Sequence, residues 1–396
     1  MQFHKTLLGF VPAGFLIAAE ILPDHRPAPV PNQVIAHEWG TFTSVAARAG
    51  YQLRWAPFSG SPDLPCFVSR LGPYRFKYFA GGSIRMETPV IYFYSQKPTT
   101  LSVHVDFPHG WITEWYPKAT NVWPTLDALA SVAPLVEGKI GWAQVKVQPG
   151  ADPVYPTTTG GSHYFAARNT DAAPLQVEDQ QEKLIFYRGI GNFLVPLRPK
   201  FNEQGEVVIA NAMAEPIAFA MLFENHGGRI GYRIVRDISE TTQIAPPELA
   251  SEAGEIHKKL EDALTEAGLY RKEALAMVET WKDSWFEEGT RLFYLAPRSL
   301  VDAELPLQIK PVPTEVARVF VGRIEMLSPW MESEIRTSLT SGNVPALAKF
   351  GRFLDPFLQQ IGLRDPGLVW SSAAQRYVKL ANDAVNNPAA TASCVN

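Results

Sequence analysis

Short runs that alternate in polarity, punctuated by glycine and proline, constrain this 396-residue chain more than any other feature. In Leu101-Ser-Val-His-Val-Asp-Phe107, Leu101, Val103, Val105 and Phe107 face one way and Ser102, His104 and Asp106 the other, the period-two signature of a half-buried strand. Residues 216–225 alternate Ile217, Phe219, Met221 and Phe223 with smaller residues, meet His226-Gly-Gly-Arg229, and resume over 230–235, which predicts a β-hairpin. Residues 90–94 and 184–187 are unbroken apolar runs of the kind that suits strands covered on both faces. With 28 Gly and 33 Pro, the composition favours turns and strands over a helical bundle. The expected fold class is α+β, mainly β: an antiparallel β-sandwich body with an inserted helical hairpin and a helical C-terminal region.

The ends of the chain differ from this texture. Residues 1–22 carry a short basic head and an apolar run from Thr6 to Ala19, the layout of a secretory signal peptide or an N-terminal anchor. Pro12 and Gly14 and the shortness of the run weaken it as a bilayer-spanning helix. Residues 23–32 are a Pro-rich linker, and residues 387–396 a small-residue tail expected to be disordered. These features predict an exported chain, periplasmic or extracellular, with no membrane contact beyond that N-terminal segment. Cys66 and Cys394 are the only cysteines and are expected to be free thiols, a bridge between them being the alternative outside the cytoplasm. The net charge of −4 excludes a general nucleic-acid binder.

The body is expected over 33–327. A helical insertion at 247–289 interrupts it: one helix over 248–267 stopped by Gly268, and a second over 271–288 with a Leu275, Val278, Trp281 and Trp285 stripe ended by Gly289. Residues 328–386 form the C-terminal helical region, with helices near 331–339, 344–361 and 371–385.

Four constellations are candidates for chemistry. In the first, His37 and Glu38 are neighbours, with His37 a candidate metal ligand and Glu38 a candidate catalytic acid. A regular strand sends them to opposite faces, unless a bulge at Gly40 turns both inward. The second is Arg85-Met-Glu87 before an apolar strand: Arg85 is the ready partner of Glu87, whose alternative is a raised pKa suited to a general acid. In the third, Glu114 lies between Trp111 and Trp115, an arrangement of acid and rings that suits a sugar cleft. The fourth places Glu287 and Glu288 at a helix C-terminus, where the dipole calls for a cation such as Arg291. No zinc-protease, paired-cysteine or EF-hand spacing occurs, so a divalent metal rests on His37 alone.

At these blocks the chain resembles a group of uncharacterised exported bacterial proteins: HEWGTFTSV at 37–45, RMETPVIYFYS at 85–95, ITEWYP at 112–117, WFEEGTRLFYL at 285–295 and TEVARVFVGRIEML at 314–327. The resemblance implies that 33–327 is one body, and it brings no activity, cofactor or catalytic residue with it.

Three functions fit. The first is a hydrolase that uses Glu38, Glu87, Glu114 and Glu288 as catalytic acids from separate strands, with or without a metal at His37, and Arg85 and Arg291 on the substrate. The second is a non-enzymatic module for glycan or cell-envelope material with Trp39, Trp111 and Trp115 as platforms. The third is a structural or assembly protein that works through its helices.

Overall fold

The computed structural model describes residues 33–55, 64–71, 82–125, 137–159, 162–386 and 394–395. The expected signal peptide or N-terminal anchor, the expected linker and most of the tail lie outside the described residues. Among those residues, no helix is long and apolar enough to cross a membrane.

Strand Val34–Ala46 is buried along its whole length, and the reason is its place in the fold. It sits fifth in a nine-stranded sheet, between Glu315–Met326 and Ile84–Ser95. Beyond Glu315–Met326 come Gly289–Leu295 and then the hairpin Ile217–His226 and Arg229–Ile238. On the other side follow Ile185–Gly191, Gly110–Tyr116 and the short Ser69–Arg70. The hairpin turns through Gly227 and Gly228, both at positive φ as a two-residue turn of this hand requires. One pairing departs from the antiparallel expectation: Val34–Ala46 runs parallel to Glu315–Met326, which the 268 residues between Ala46 and Glu315 allow the chain to arrange.

Each face of this sheet is covered. On one lies a six-stranded sheet built around Thr99–Phe107 and Gly138–Val147, with Ala36, Phe42, Ile91 and Phe93 of the large sheet meeting Leu101, Val103, Val105 and Trp142. This is the sandwich, and a three-stranded sheet completes its core with Leu197, Val207, Ile209 and Ile244. On the opposite face lie helices Ala253–Glu266 and Arg271–Trp285, the expected insertion. Ile256, Leu260 and Leu264 of the first and Ala274, Met277, Val278, Trp281 and Trp285 of the second pack on Trp39, Val90, Tyr92, Phe219 and Phe293. Leu275 departs from the expected stripe and is exposed, with Ala274 and Met277 taking the buried side. Both helices end early, and Gly268 and Gly289 stand at positive φ just beyond them.

The C-terminal helices Pro329–Ser341, Val344–Ala348, Leu354–Gly362 and Ser372–Asn386 form a third core with Val45 and Trp55 at one end of the large sheet. The single helix expected over 344–361 is broken by a 3₁₀ turn, Gly351–Phe353, where Gly351 has positive φ. The expectation of two free thiols is overturned. Cys66 is disulfide-bonded, and Cys394, the one other cysteine in the sequence, lies on a two-residue strand paired with Thr157–Thr158.

Candidate functional site

A strand buried on both faces must find a partner for every polar side chain it carries. His37 and Glu38 meet this demand separately. The register does shift beside Gly40, between Trp39 and Thr41, but the alternation of Val34–Ala46 survives and the two side chains point to opposite faces. They share no site.

Glu38, on the sandwich face, accepts a 2.5 Å bond from Arg318 Nε and another from the Tyr187 hydroxyl. Arg318 also holds Asp302 at 2.7 Å. Burial drives the Tyr187 phenol well above its ordinary value and Glu38 adds to this, so the hydroxyl keeps its proton as donor.

His37 lies against the helical hairpin. Its Nδ1 stands 2.7 Å from Glu273 Oε2, and the same carboxylate accepts from the Tyr94 hydroxyl at 2.8 Å and the Tyr270 backbone N–H at 2.7 Å. The imidazole packs 4.4 Å from the Tyr270 ring, and its Nε2 has no hydrogen-bond partner among the described residues. A carboxylate on Nδ1 is the support that metal-binding imidazoles use. Yet the described residues hold no group of three His, Cys, Asp or Glu that could bind a metal, so His37 has no further ligands beside it there.

The largest concentration of buried charge lies at the other end of the same face. Two Arg-x-Glu pairs, Arg85/Glu87 and Arg323/Glu325, flank Thr43, which is the register partner of both arginines. Thr88 stands at positive φ and switches the alternation of strand Ile84–Ser95: Met86 and Ile91 both face the sandwich, five residues apart. That bulge brings Arg85 and Glu87 to the helical side. Glu87 accepts 3.0 Å from Thr43 Oγ1, lies 3.1 Å from Arg85 Nε and pairs with Arg352 of the C-terminal region. Arg323 bonds Glu325 at 2.5 Å, Ser284 at 3.0 Å and Glu287 at 2.7 Å. Arg291 meets Glu325 at 2.9 Å and donates to the carbonyls of Trp285, Glu287 and Glu288 at the end of helix Arg271–Trp285. It is the cation that the helix end demanded.

Burial would raise the Glu87 carboxyl, but Arg352 and Arg85 outweigh it and hold the group below its ordinary 4.5. The raised pKa suited to a general acid is therefore overturned, and the ion-pair expectation for Arg85 and Glu87 holds. Glu114 is buried too, bonded by Arg188 Nε at 3.1 Å and Thr113 Oγ1 at 2.5 Å. Glu288 pairs with Lys349 at 3.0 Å and accepts the Gly227 backbone N–H. Thus the four acids do not converge in one cleft, and each is held by its own cation. The aromatic platform is corrected as well: Trp39 is fully buried, Trp111 is 7% exposed, and Trp115 packs against the sandwich core.

Sequence reasoning missed Glu273, Arg188, Arg318, Arg323, Glu325 and Arg352. One signal was available, the repeat of Arg-x-Glu in two otherwise apolar strands, where charges spaced by two share a face.

The sequence matches no family model and no curated protein. Among solved structures, the yeast delta-COP-I mu-homology domain is similar at 8% identity and a TM-score of 0.26, over 76% of this chain and 97% of that one. The same domain complexed with the Dsl1 WxWxV peptide gives 10% identity and a TM-score of 0.24, over 76% and 98%. Likeness at this level carries neither fold nor site across to this chain.

Proposed function

We propose that the chain is an exported binding module of the cell envelope that performs no chemistry of its own. One observation carries the reading: Glu38, Glu87, Glu114 and Glu288 are each spent on a cation, Arg318, Arg352 with Arg85, Arg188 and Lys349. A catalytic acid pair needs two carboxyls with divergent pKa values in mutual reach of a substrate, and none of these four has that freedom. Export is supported by the basic-then-apolar N-terminus, by the resemblance to exported bacterial proteins, and by Cys66, since disulfides persist in oxidising compartments.

The test is co-sedimentation of the purified chain with envelope fractions, beside a panel of chromogenic ester, glycoside and peptide substrates. Retention on the envelope without turnover is the expected result. Turnover abolished in a folded Glu87→Gln or Glu114→Gln chain overturns the reading.

A hydrolase remains the second reading because of His37, whose Nδ1 is oriented by Glu273 while Nε2 is unpartnered. That is how a general base is oriented, on an imidazole that is itself fully buried. Turnover lost on His37→Gln, with the melting temperature kept, favours it.

A further inference from the structure

Strand Arg229–Ile238 is one edge of the nine-stranded sheet, and only part of it is covered. The chain that follows returns beside it as a strap. Ser251 N–H donates to the Ile230 carbonyl at 2.9 Å, Arg233 Nε donates to the Pro246 carbonyl at 3.1 Å, and the Glu248 carbonyl lies so close to Gly231 that a β-carbon there would stand 2.1 Å from it. Backbone groups of alternate residues on an antiparallel strand point to the same side. Since the Ile230 carbonyl points outward to Ser251, the N–H and C=O of Tyr232 and Ile234 point outward too. None of the described residues bonds them. Beside them, strap and strand separate into a groove of about 700 Å³.

The two walls of the groove differ. Tyr232 and Ile234 pack towards the helical hairpin, with Glu255 on that wall and the Tyr232 hydroxyl on Glu255 at 2.5 Å. The other wall carries exposed Arg233 with Val235 and Ile244. We propose that this edge accepts an extended polypeptide as an added strand, with acidic side chains at alternate positions facing Arg233 and apolar ones facing Tyr232 and Ile234. This names the partner chemistry of the binding module and rests on that reading. Main-chain bonds to residues 232 and 234 supply affinity, and the charge difference between the walls sets register, since a one-residue slip turns the acids from Arg233 to the wall that carries Glu255. A second copy of this chain fits worse, because pairing Tyr232 with Ile234 across an antiparallel edge sets Arg233 against Arg233.

The experiment measures fluorescence anisotropy of labelled Glu-Val-Glu-Val-Glu-Val and Lys-Val-Lys-Val-Lys-Val peptides with the full chain. The acidic peptide is expected to bind at least tenfold more tightly. Ile234→Pro removes an outward N–H that the sheet does not use and should lose at least tenfold in binding, whereas Ile234→Ala, which gives up the same packing but keeps that N–H, should lose less. Arg233→Glu should reverse the preference. Equal binding of both peptides, binding unaffected by Ile234→Pro, or no binding by the folded chain overturns the proposal. So does self-association abolished by Ile234→Pro, which would assign the edge to a second copy. Envelope retention that persists when the peptides fail leaves the binding-module reading standing and removes only this site.

Discussion

Replacing Glu87 with Gln keeps its shape and removes its charge, which separates a structural carboxylate from a catalytic one. The wild-type carboxylate is fully buried, bonded by Thr43 and paired with Arg85 and Arg352. Breaking a buried ion pair by removing one partner costs about 3–5 kcal/mol, because the other charge is left uncompensated. Arg352 is 13% exposed at its side chain and can recover some hydration, so the lower end, about 3 kcal/mol, is expected at pH 7. For a chain of this length each kcal/mol moves the melting temperature by roughly 1–2 °C, giving a fall of about 3–6 °C.

The pH dependence follows from the sign of the shift. Glu87 titrates below its ordinary 4.5 in the folded chain, so its stabilisation is complete above about pH 4.5 and is lost as the pH falls through the depressed value. The variant has no such group. Urea unfolding of both proteins from pH 7 to pH 3 should therefore show a gap that closes below pH 4.5. Combining Glu87→Gln with Arg352→Met should cost less than the two single changes added together. A gap under about 1 kcal/mol at pH 7, or one unchanged down to pH 3, refutes the account of Glu87 as a structural ion.

Thiol titration of the non-reduced, denatured chain should give no free thiol, and two after reduction; one or more before reduction contradicts the bonded state of Cys66. Arg291→Met should destabilise by about 3 kcal/mol, since three backbone carbonyls lose their donor while Glu325 keeps Arg323, whereas Asp262→Asn in the exposed Lys258–Asp262 pair should cost under about 0.5 kcal/mol in the same urea assay. Gly322→Ala places a methyl group 1.9 Å from the Tyr294 ring and should cost at least about 2 kcal/mol; Tyr294→Leu in that background should restore part of it, and failure to do so would show that the ring is not the obstacle.

The strands, the hairpin turn and the two inserted helices were legible because each is written in local pattern. Residues 101–107 alternate, Gly227-Gly228 permits one tight turn, and Ile256, Leu260 and Leu264 recur at a helical interval. The faces of the central strands were not legible, because a bulge resets parity. Arg85 and Glu87 share a parity with Ile91 and Phe93 in the sequence, and the positive φ of Thr88 places them on the other side of the sheet. The parallel pairing of Val34–Ala46 with Glu315–Met326 was hidden for a similar reason, since pairing across so long a connection leaves no local trace. The tryptophans misled because aromatic rings serve as core and as platform with the same residue types, and burial alone distinguishes the two.

The Arg-x-Glu pairs bear on where one body ends. Glu87 and Arg352 are separated by 265 residues, and Glu288 and Lys349 by 61. Both basic partners come from the C-terminal helices, which the sequence divides from the body at residue 328. The contact is also apolar: Val45 and Trp55 belong to the core of those helices, and Gln360 donates to the Ala46 carbonyl. A boundary between separable domains crosses few contacts and exposes little when cut. A cut here would strip Glu87 of Arg352 in the interior and uncover Val45 at the end of the most buried strand. The body and its C-terminal helices therefore share ion pairs and an apolar core, and Glu87 and Glu288 take their cations where the central sheet, the hairpin and the C-terminal helices meet.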